Sequence, residues 1–289
     1  MMRRLSLLLA LAAISTAVAG GQSSPAPTPL APAPATARMP QIVSPEWLAK
    51  QRQDAPLVLL HVGTADDYAA AHLEGARLAR VVDVSVSDTA RKLSVEMPGA
   101  DTLRARLAAL GVADNTRVVV YFAKDMVYPA TRILFTLLFA GFDGRAALLD
   151  GGLPAWVAAG HPVVTSSAVA APDAVGRAGA ATLSPLALRN FVVDAAYVQS
   201  MLGRPGVSVV DARDSVFYRG ERQGGSPQAP HRAGHVPGAR SVPWQGLYDE
   251  QRRLKPREEL ARIFTAAGVG PGDVVIGYCH TGQQGRPPC

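Results

Sequence analysis

Cysteine is nearly absent: the 289 residues hold two, Cys279 and Cys289. That excludes a disulfide framework, an iron–sulfur cluster and any multi-cysteine zinc site built within one chain. Charged residues make up only 18% and aromatic residues 6%. The basic excess is +6, falling to +4 without Arg3 and Arg4, and its residues are scattered rather than gathered on one stripe. Nucleic-acid binders concentrate that charge, so no nucleic-acid partner is expected. Beyond the first twenty residues no apolar run approaches the roughly 20 residues a bilayer span needs. The longest, Ile133 to Ala140, reads as a helix buried against a sheet. What remains, 48% hydrophobic residues with 27 Gly and 23 Pro, is ordinary globular composition with length for two domains.

The first residues carry an address. Met1-Met2-Arg3-Arg4, the apolar run Leu5 to Ala13 and then Ala17-Val18-Ala19 form a basic head, a core and a small-residue cleavage site. A secretory signal peptide over residues 1–19 is expected, cut after Ala19, giving a periplasmic or secreted chain without stable membrane insertion. Residues 20–40 hold six prolines among Ala, Ser and Thr and form an extended tether.

The chain then repeats itself. Ala109-Leu110-Gly111-Val112 and Val118 to Phe122 match Ala266-Ala267-Gly268-Val269 and Val275 to Cys279 at a shift of 157. Leu59 to Gly63 matches Val209 to Arg213 at a shift of 150, and His72 to Arg77 matches His235 to Arg240 at 163. Three anchors in one order mean two copies of one domain, with an insertion in the second around Gly220 to Arg232 and a later deletion. The copies span residues 41–164 and 187–289, joined by an Ala/Ser/Gly/Pro-rich linker over 165–186. In each, a buried strand precedes a helix whose apolar stripe (Leu103, Leu107, Leu110; Leu260, Ile263, Phe264, Ala267) ends at a glycine, Gly111 or Gly268. A second strand follows. Strands alternating with helices predict an α/β fold of two tandem domains, each a parallel sheet flanked by helices.

Tyr278 closes the second strand of copy two, so Cys279 opens the loop Cys279-His280-Thr281-Gly282-Gln283-Gln284 at the carboxyl edge of the sheet, where such sheets bind ligands. Gly282 lets the chain curl until successive N–H groups face one anion. Two readings stand at this point: a reactive thiolate held in that nest, or an inert core thiol.

Val210-Asp211-Ala212-Arg213, Gly234-His235-Val236-Pro237-Gly238-Ala239 and Tyr278-Cys279-x-x-Gly282, with Asp150-Gly151-Gly152 and Trp156 in copy one, resemble the rhodanese superfamily. The resemblance runs from about Gln41 to Gln284. It implies a tandem-domain sulfurtransferase of the thiosulfate or 3-mercaptopyruvate type, with a silent first copy and Cys279 as the catalytic residue. Phe122 stands at the first copy's counterpart of Cys279, and His61 at the counterpart of Asp211. By the same resemblance Cys279 becomes a persulfide and passes its sulfur to cyanide or a thiol, with no cofactor and no metal. Substrate binding falls to His280, Thr281, Gly282, Gln283, Gln284 and Arg213, although the guanidinium fork of Arg213 also suits bracing the loop through a carboxylate.

The departures from that pattern matter. Thiosulfate-preferring members carry two basic residues in the loop, where this chain has His280, Thr281, Gln283 and Gln284, and an arginine where it has Phe217. Arg222 and Arg232 of the insertion are candidate replacements, and the donor stays open between thiosulfate and 3-mercaptopyruvate. His231 and His235 are four apart, but Gly234 and Pro237 break any helix that would make them metal ligands. Arg286 is spaced wrongly from Cys279 for a Cys-x5-Arg phosphatase. Copy one continues 40 residues past Phe122 to Pro162, whereas copy two continues ten past Cys279. The second domain is therefore expected to be truncated, weakly folded and weakly active, with a non-catalytic binding module as the alternative function. Cys289 is expected to be able to pair with Cys279 in an oxidising compartment.

Overall fold

Aliphatic and β-branched runs set two parallel sheets, and the same order of elements builds both. The computed structural model describes residues 38–52, 56–90, 93–165, 182–226 and 229–282. The expected leader, most of the tether, the middle of the linker, Gln283, Gln284, Arg286 and Cys289 lie outside them. In the first copy, Ile42–Val43 (β1) leads to helix Pro45–Gln51 (α1), capped where Ser44 Oγ accepts from the Trp47 amide. Leu57–Val62 (β2) is followed by Ala65–Ala70 (α2), which Thr64 and Asp67 open with a reciprocal capping box. Arg77–Leu78 (β3), a 3-10 turn at Val81–Val84 and the hairpin Val86–Asp88 (β4) with Leu93–Glu96 (β5) come next. Then follow Ala100–Ala109 (α3), Arg117–Phe122 (β6), Val127–Phe139 (α4), Ala146–Leu149 (β7) and Gly152–Ala158 (α5). The sheet order is β1-β7-β6-β2-β3, parallel throughout, with His61 opposite Tyr121 and Val62 opposite Phe122.

The second copy retraces this path: Ala195–Met201 (α6), Val207–Asp211 (β8), Ser215–Tyr218 (α7), Gly225–Ser226 (β9), Ala229–Pro230 (β10), Arg240–Ser241 (β11), a 3-10 turn at Trp244–Leu247, Arg257–Ala266 (α8) and Val274–Tyr278 (β12). Its sheet is β11-β8-β12, also parallel, with Asp211 opposite Tyr278. Among the described residues it has no counterpart of α4, β7 or α5, and Val274 and Val275 on β12 are about half exposed. The expected glycine stops hold: Gly111 and Gly268 adopt φ of +81° and +84° after α3 and α8. The insertion folds as the antiparallel β9–β10 hairpin. The deletion shortens the β4–β5 hairpin, which copy two keeps as a bridge between Tyr248 and Leu254.

The repeat extends to individual hydrogen bonds. Tyr68 stacks on His72 and donates its hydroxyl to the Ala76 carbonyl, as Tyr218 stacks on His235 and donates to Ala239. The Leu73 amide donates to the Tyr121 hydroxyl, as that of Val236 does to Tyr278. One site differs by a coupled change. Copy two holds a buried ion pair, Asp211 with Arg213, whereas copy one has His61 and Gly63 in those places. A Cβ at Gly63 would stand 2.8 Å from His61 Nε2, so the ring needs the glycine.

The two copies share one core. Ten of the thirteen α4 residues are buried, and the cluster around this helix includes Val210, Val242, Leu247, Tyr248, Leu260 and Val269 of copy two. Such a helix is apolar on all sides because it has partners on all sides. The end of the expected linker packs on this core through the buried Leu183, and Phe191, at the start of the expected second copy, meets Phe135 and Phe139 of copy one.

His61 carries the pH consequence of this fold. Burial, helped by the nearby His72, pushes its pKa down to about 4, with Asp67 opposing. The unfolded chain therefore binds a proton near pH 6.5 that the folded chain takes only near 4. Stability contributed by the neutral ring is full above 6.5 and is lost as pH falls towards 4, by at most about 3 kcal/mol. Urea midpoints measured across that window should fall steeply in the native chain and more gently in His61→Asn.

Candidate functional site

Five residues of β12 end at Tyr278, and Cys279 leaves the sheet at its carboxyl edge, half-buried. Two systems hold the turn that follows. The first lies beneath Tyr278. Its hydroxyl donates to Asp211 Oδ2 at 2.8 Å. Asp211 also accepts from the Arg213 amide and from Nε and Nη2 of that side chain, at 2.6–3.1 Å. Arg213 Nη2 continues to the Gly234 carbonyl at 2.7 Å. Burial raises the Asp211 pKa, but the Arg213 and Tyr278 hydrogen bonds outweigh it and hold the carboxyl below its ordinary value. Burial, with the neighbouring Asp211, pushes the Tyr278 phenol up to about 12. Arg213 therefore ties β8, β12 and the Gly234 turn together: its fork is spent on Asp211 and a carbonyl. This is the bracing role its chemistry suits.

The second system comes from the first copy. Arg132 on α4 is 4% exposed and donates from Nη1 to the carbonyls of Thr281 and Gly282, at 3.3 and 3.2 Å. Its Nη2 donates to the Val95 carbonyl at 2.5 Å and to Met97 Sδ at 3.1 Å. Gly282 has φ +70°, and a Cβ there would stand 2.9 Å from Arg132 Nη1. Glycine is thus required both by the turn and by the arginine. Because the peptide is planar and trans, a Thr281 carbonyl aimed at Arg132 sends the Gly282 N–H the opposite way.

His280 meets the insertion. Its Nδ1 lies 3.2 Å from His231 Nδ1, and its ring stands edge-on to Phe217 at 4.6 Å between centroids. Gly224 permits this approach, since a Cβ there would fall 2.3 Å from His280 Cε1. Burial lowers the His280 pKa, with Arg213 and His231 adding to the effect and Asp211 opposing it, so the ring is neutral at neutral pH. Arg222 lies over the Phe217 ring at 5.4 Å, while Arg232 is exposed. His235 donates from Nδ1 to the Tyr218 carbonyl. No cluster of three or more His, Cys, Asp or Glu that could hold a metal occurs among the described residues. A groove of about 1790 Å³, bordered by Arg132, His231, His280 and Thr281, opens beside the loop and runs along β12.

The structure thus places Cys279, His280, Thr281 and Gly282 on one turn, with Arg213 under it. Gln283 and Gln284 lie outside the described residues. The sequence reading missed Arg132. Its one signal was a lone arginine bordering the apolar run Ile133 to Ala140.

A family profile described as "Rhodanese-like domain" matches residues 44–159 and 194–287. A "Putative thiosulfate sulfurtransferase" of Synechococcus elongatus is 31% identical over 259 residues, covering 84% of this chain and 74% of that protein. The "Thiosulfate sulfurtransferase" of Pseudomonas aeruginosa is 30% identical over 246 residues, covering 84% of this chain and 83% of its own. Among solved structures, that of SseA from Escherichia coli, titled for 3-mercaptopyruvate sulfotransferases, superposes with a TM-score of 0.70 at 23% identity. The match covers 86% of this chain and 91% of that one. YnjE superposes at 0.69 and 22% identity over 85% of this chain, which spans 60% of YnjE. At these identities the superpositions speak for the fold.

The buried pair makes a quantitative expectation. Arg213→Met strands Asp211, and Asp211→Asn strands Arg213; each should cost about 3–5 kcal/mol in urea unfolding. The double variant should lose clearly less than the sum of the two, because the second change removes the charge the first left alone.

Proposed function

This chain belongs to the rhodanese-like family, whose named relatives are sulfurtransferases, and from that premise we propose that it moves a sulfane sulfur through a persulfide on Cys279. The Cys279 thiolate attacks the outer sulfur of the donor. With thiosulfate, the S–S bond breaks and sulfite leaves with the bonding pair. With 3-mercaptopyruvate, the C–S bond breaks and the enolate of pyruvate leaves, later taking a proton at carbon. Attack by cyanide or a thiolate on the outer sulfur then returns the Cys279 thiolate. One difficult transfer becomes two easier ones.

The observation that carries this reading is the place of Cys279. It leaves the carboxyl edge of a parallel sheet on a turn whose carbonyls face Arg132 and whose glycine is left-handed. A turn arranged in that way offers N–H groups to a sulfur that is negative before and after each transfer. His280 and Thr281 supply no fixed positive charge, so both donors remain in the proposal. Their relative kcat/KM would rank them. Export with loss of residues 1–19 is part of the same proposal, checked by the mass of the chain recovered from the periplasm or medium.

Peptide-resolved mass spectrometry after incubation with each donor tests the chemistry. One added sulfur is expected on the Cys279 peptide, removable by cyanide and absent in Cys279→Ser. Failure of both donors to load Cys279 would sink the sulfurtransferase reading and leave a binding module. Hydrolysis of an aryl phosphate by the same preparation would point to phosphatase chemistry instead.

A further inference from the structure

A charge buried without a counter-charge needs a reason. Desolvating a guanidinium costs several kcal/mol unless its donors are satisfied and its charge is matched. Among the described residues the partners of the almost fully buried Arg132 are three carbonyls and a thioether, and its Nε has none. Glu96 acts on it only by longer-range attraction, and so does Cys279. Neutral acceptors satisfy the donors and leave the positive charge in place. The sulfur of Cys279, when ionised, is the anion of copy two that acts on Arg132.

The inactive copy supplies the contrast. The counterpart of Gly282 there is Asp125, and an arginine reaches it across the same boundary: Arg252 of copy two donates to Asp125 at 2.9 Å. That pair is exposed and neutralised on the spot. In the cysteine turn the carboxylate is replaced by glycine. There the crossing arginine meets the Thr281 and Gly282 carbonyls, neutral acceptors that leave its charge available to the turn.

We propose that Arg132, a residue of the silent first copy, is the positioning residue of the Cys279 turn, fixing its carbonyls outward and serving as counter-cation to the negative sulfur. The inference deepens the sulfurtransferase reading and rests on it for its biological meaning, but its geometry does not depend on sulfur being transferred. The first copy is then part of the active centre as well as its scaffold. Among the described residues, Cys279 and Glu96 act electrostatically on Arg132, while Arg213, Asp211 and the inserted hairpin's His231 act on His280, the next residue after the cysteine. Asp211 and Arg213 cancel each other at close range and the exposed Glu96 is screened by water, which leaves Arg132 as the buried cation.

The test reads the thiol directly. In a Cys289→Ser background, the rate of Cys279 alkylation by iodoacetamide is followed by mass spectrometry near pH 7 and near pH 10, for the parent, Arg132→Met and Arg132→Lys. Loss of a nearby cation should slow Arg132→Met about tenfold near pH 7 and little near pH 10, where thiols ionise unaided. Arg132→Lys should recover most of the loss, since it keeps the charge without the fork. Equal slowing of Arg132→Met at both pH values would mean that only access to the thiol had changed, and would overturn the proposal. So would parent-like rates at both. Arg132-dependent alkylation in a chain that never loads sulfur would keep the inference and sink the sulfurtransferase reading alone.

Discussion

Helix α4 is the constraint on which the two copies jointly depend. It belongs to the first copy, packs on β6 and β7, and closes one core with side chains of the second. A helix buried on every side has to be apolar on every side, and thirteen residues from Val127 to Phe139 comply except where polarity is used. Thr131 turns its hydroxyl to the Tyr128 carbonyl and Thr136 to that of Arg132, the usual way a buried hydroxyl is satisfied within a helix. Arg132 reaches across the boundary to the cysteine turn, and Tyr128 meets Trp244 of copy two edge-on. The position of the cysteine turn is therefore referred to a helix of the other copy as well as to the Tyr278–Asp211–Arg213 system of its own.

The repeat shows how one architecture carries two different electrostatic solutions. At the strand end beside each tyrosine hydroxyl, copy two buries a carboxylate and secures it with a guanidinium, while copy one buries a neutral imidazole beside a glycine. Both satisfy the same Tyr hydroxyl: His61 Nδ1 lies 3.1 Å from that of Tyr121, and Asp211 accepts from that of Tyr278. Exchanging only one member of either pair would be costly. A histidine with the Arg213 side chain would clash or strand a charge, and an aspartate beside Gly63 would have no cation. Such sites change together, and the pair that copy one retains is the one that needs no partner charge.

Much of this was legible beforehand because it is written in local pattern. The aliphatic runs gave the strands, Leu103, Leu107 and Leu110, at i, i+4 and i+7, gave the buried face of α3, and Gly111 and Gly268 marked helix ends that only glycine closes cheaply. The three shifts located the insertion and the deletion, because a rigid repeat tolerates length change only in its hairpins. The turn at Cys279 was legible from Gly282 and the strand before it. What escaped were contacts between residues far apart in the chain. Arg132 and Gly282 are 150 positions apart, and no periodicity links them. His231 reaching His280 depends on the fold of an inserted hairpin and on the space left by Gly224. Local spacing made His231 and His235 look like a pair, and tertiary structure separates them: one turns to the Tyr218 carbonyl, the other to the cysteine turn.

Charge at the cysteine turn therefore has to be counted over the fold rather than along the loop. Counted along the loop, His280 and Thr281 offer no cation, and a dianionic donor would be poorly served. Counted in space, the sum changes. Asp211 and Arg213 form a close pair whose fields largely cancel beyond a few ångströms, and His280 stays neutral because burial and the nearby Arg213 disfavour a second positive charge. Among the described residues Arg132 has no such close partner, Glu96 being exposed, and the low-polarity core around α4 screens it less than water would. In the proposal a single buried cation that grips the turn through its carbonyls serves as counter-charge to the sulfur. Basic side chains on the loop itself would do both at once, binding the donor and biasing the thiol. On the proposed reading the two tasks are divided: Arg132 of the first copy serves as counter-cation to the sulfur, and His231 of the inserted hairpin borders the groove beside the turn.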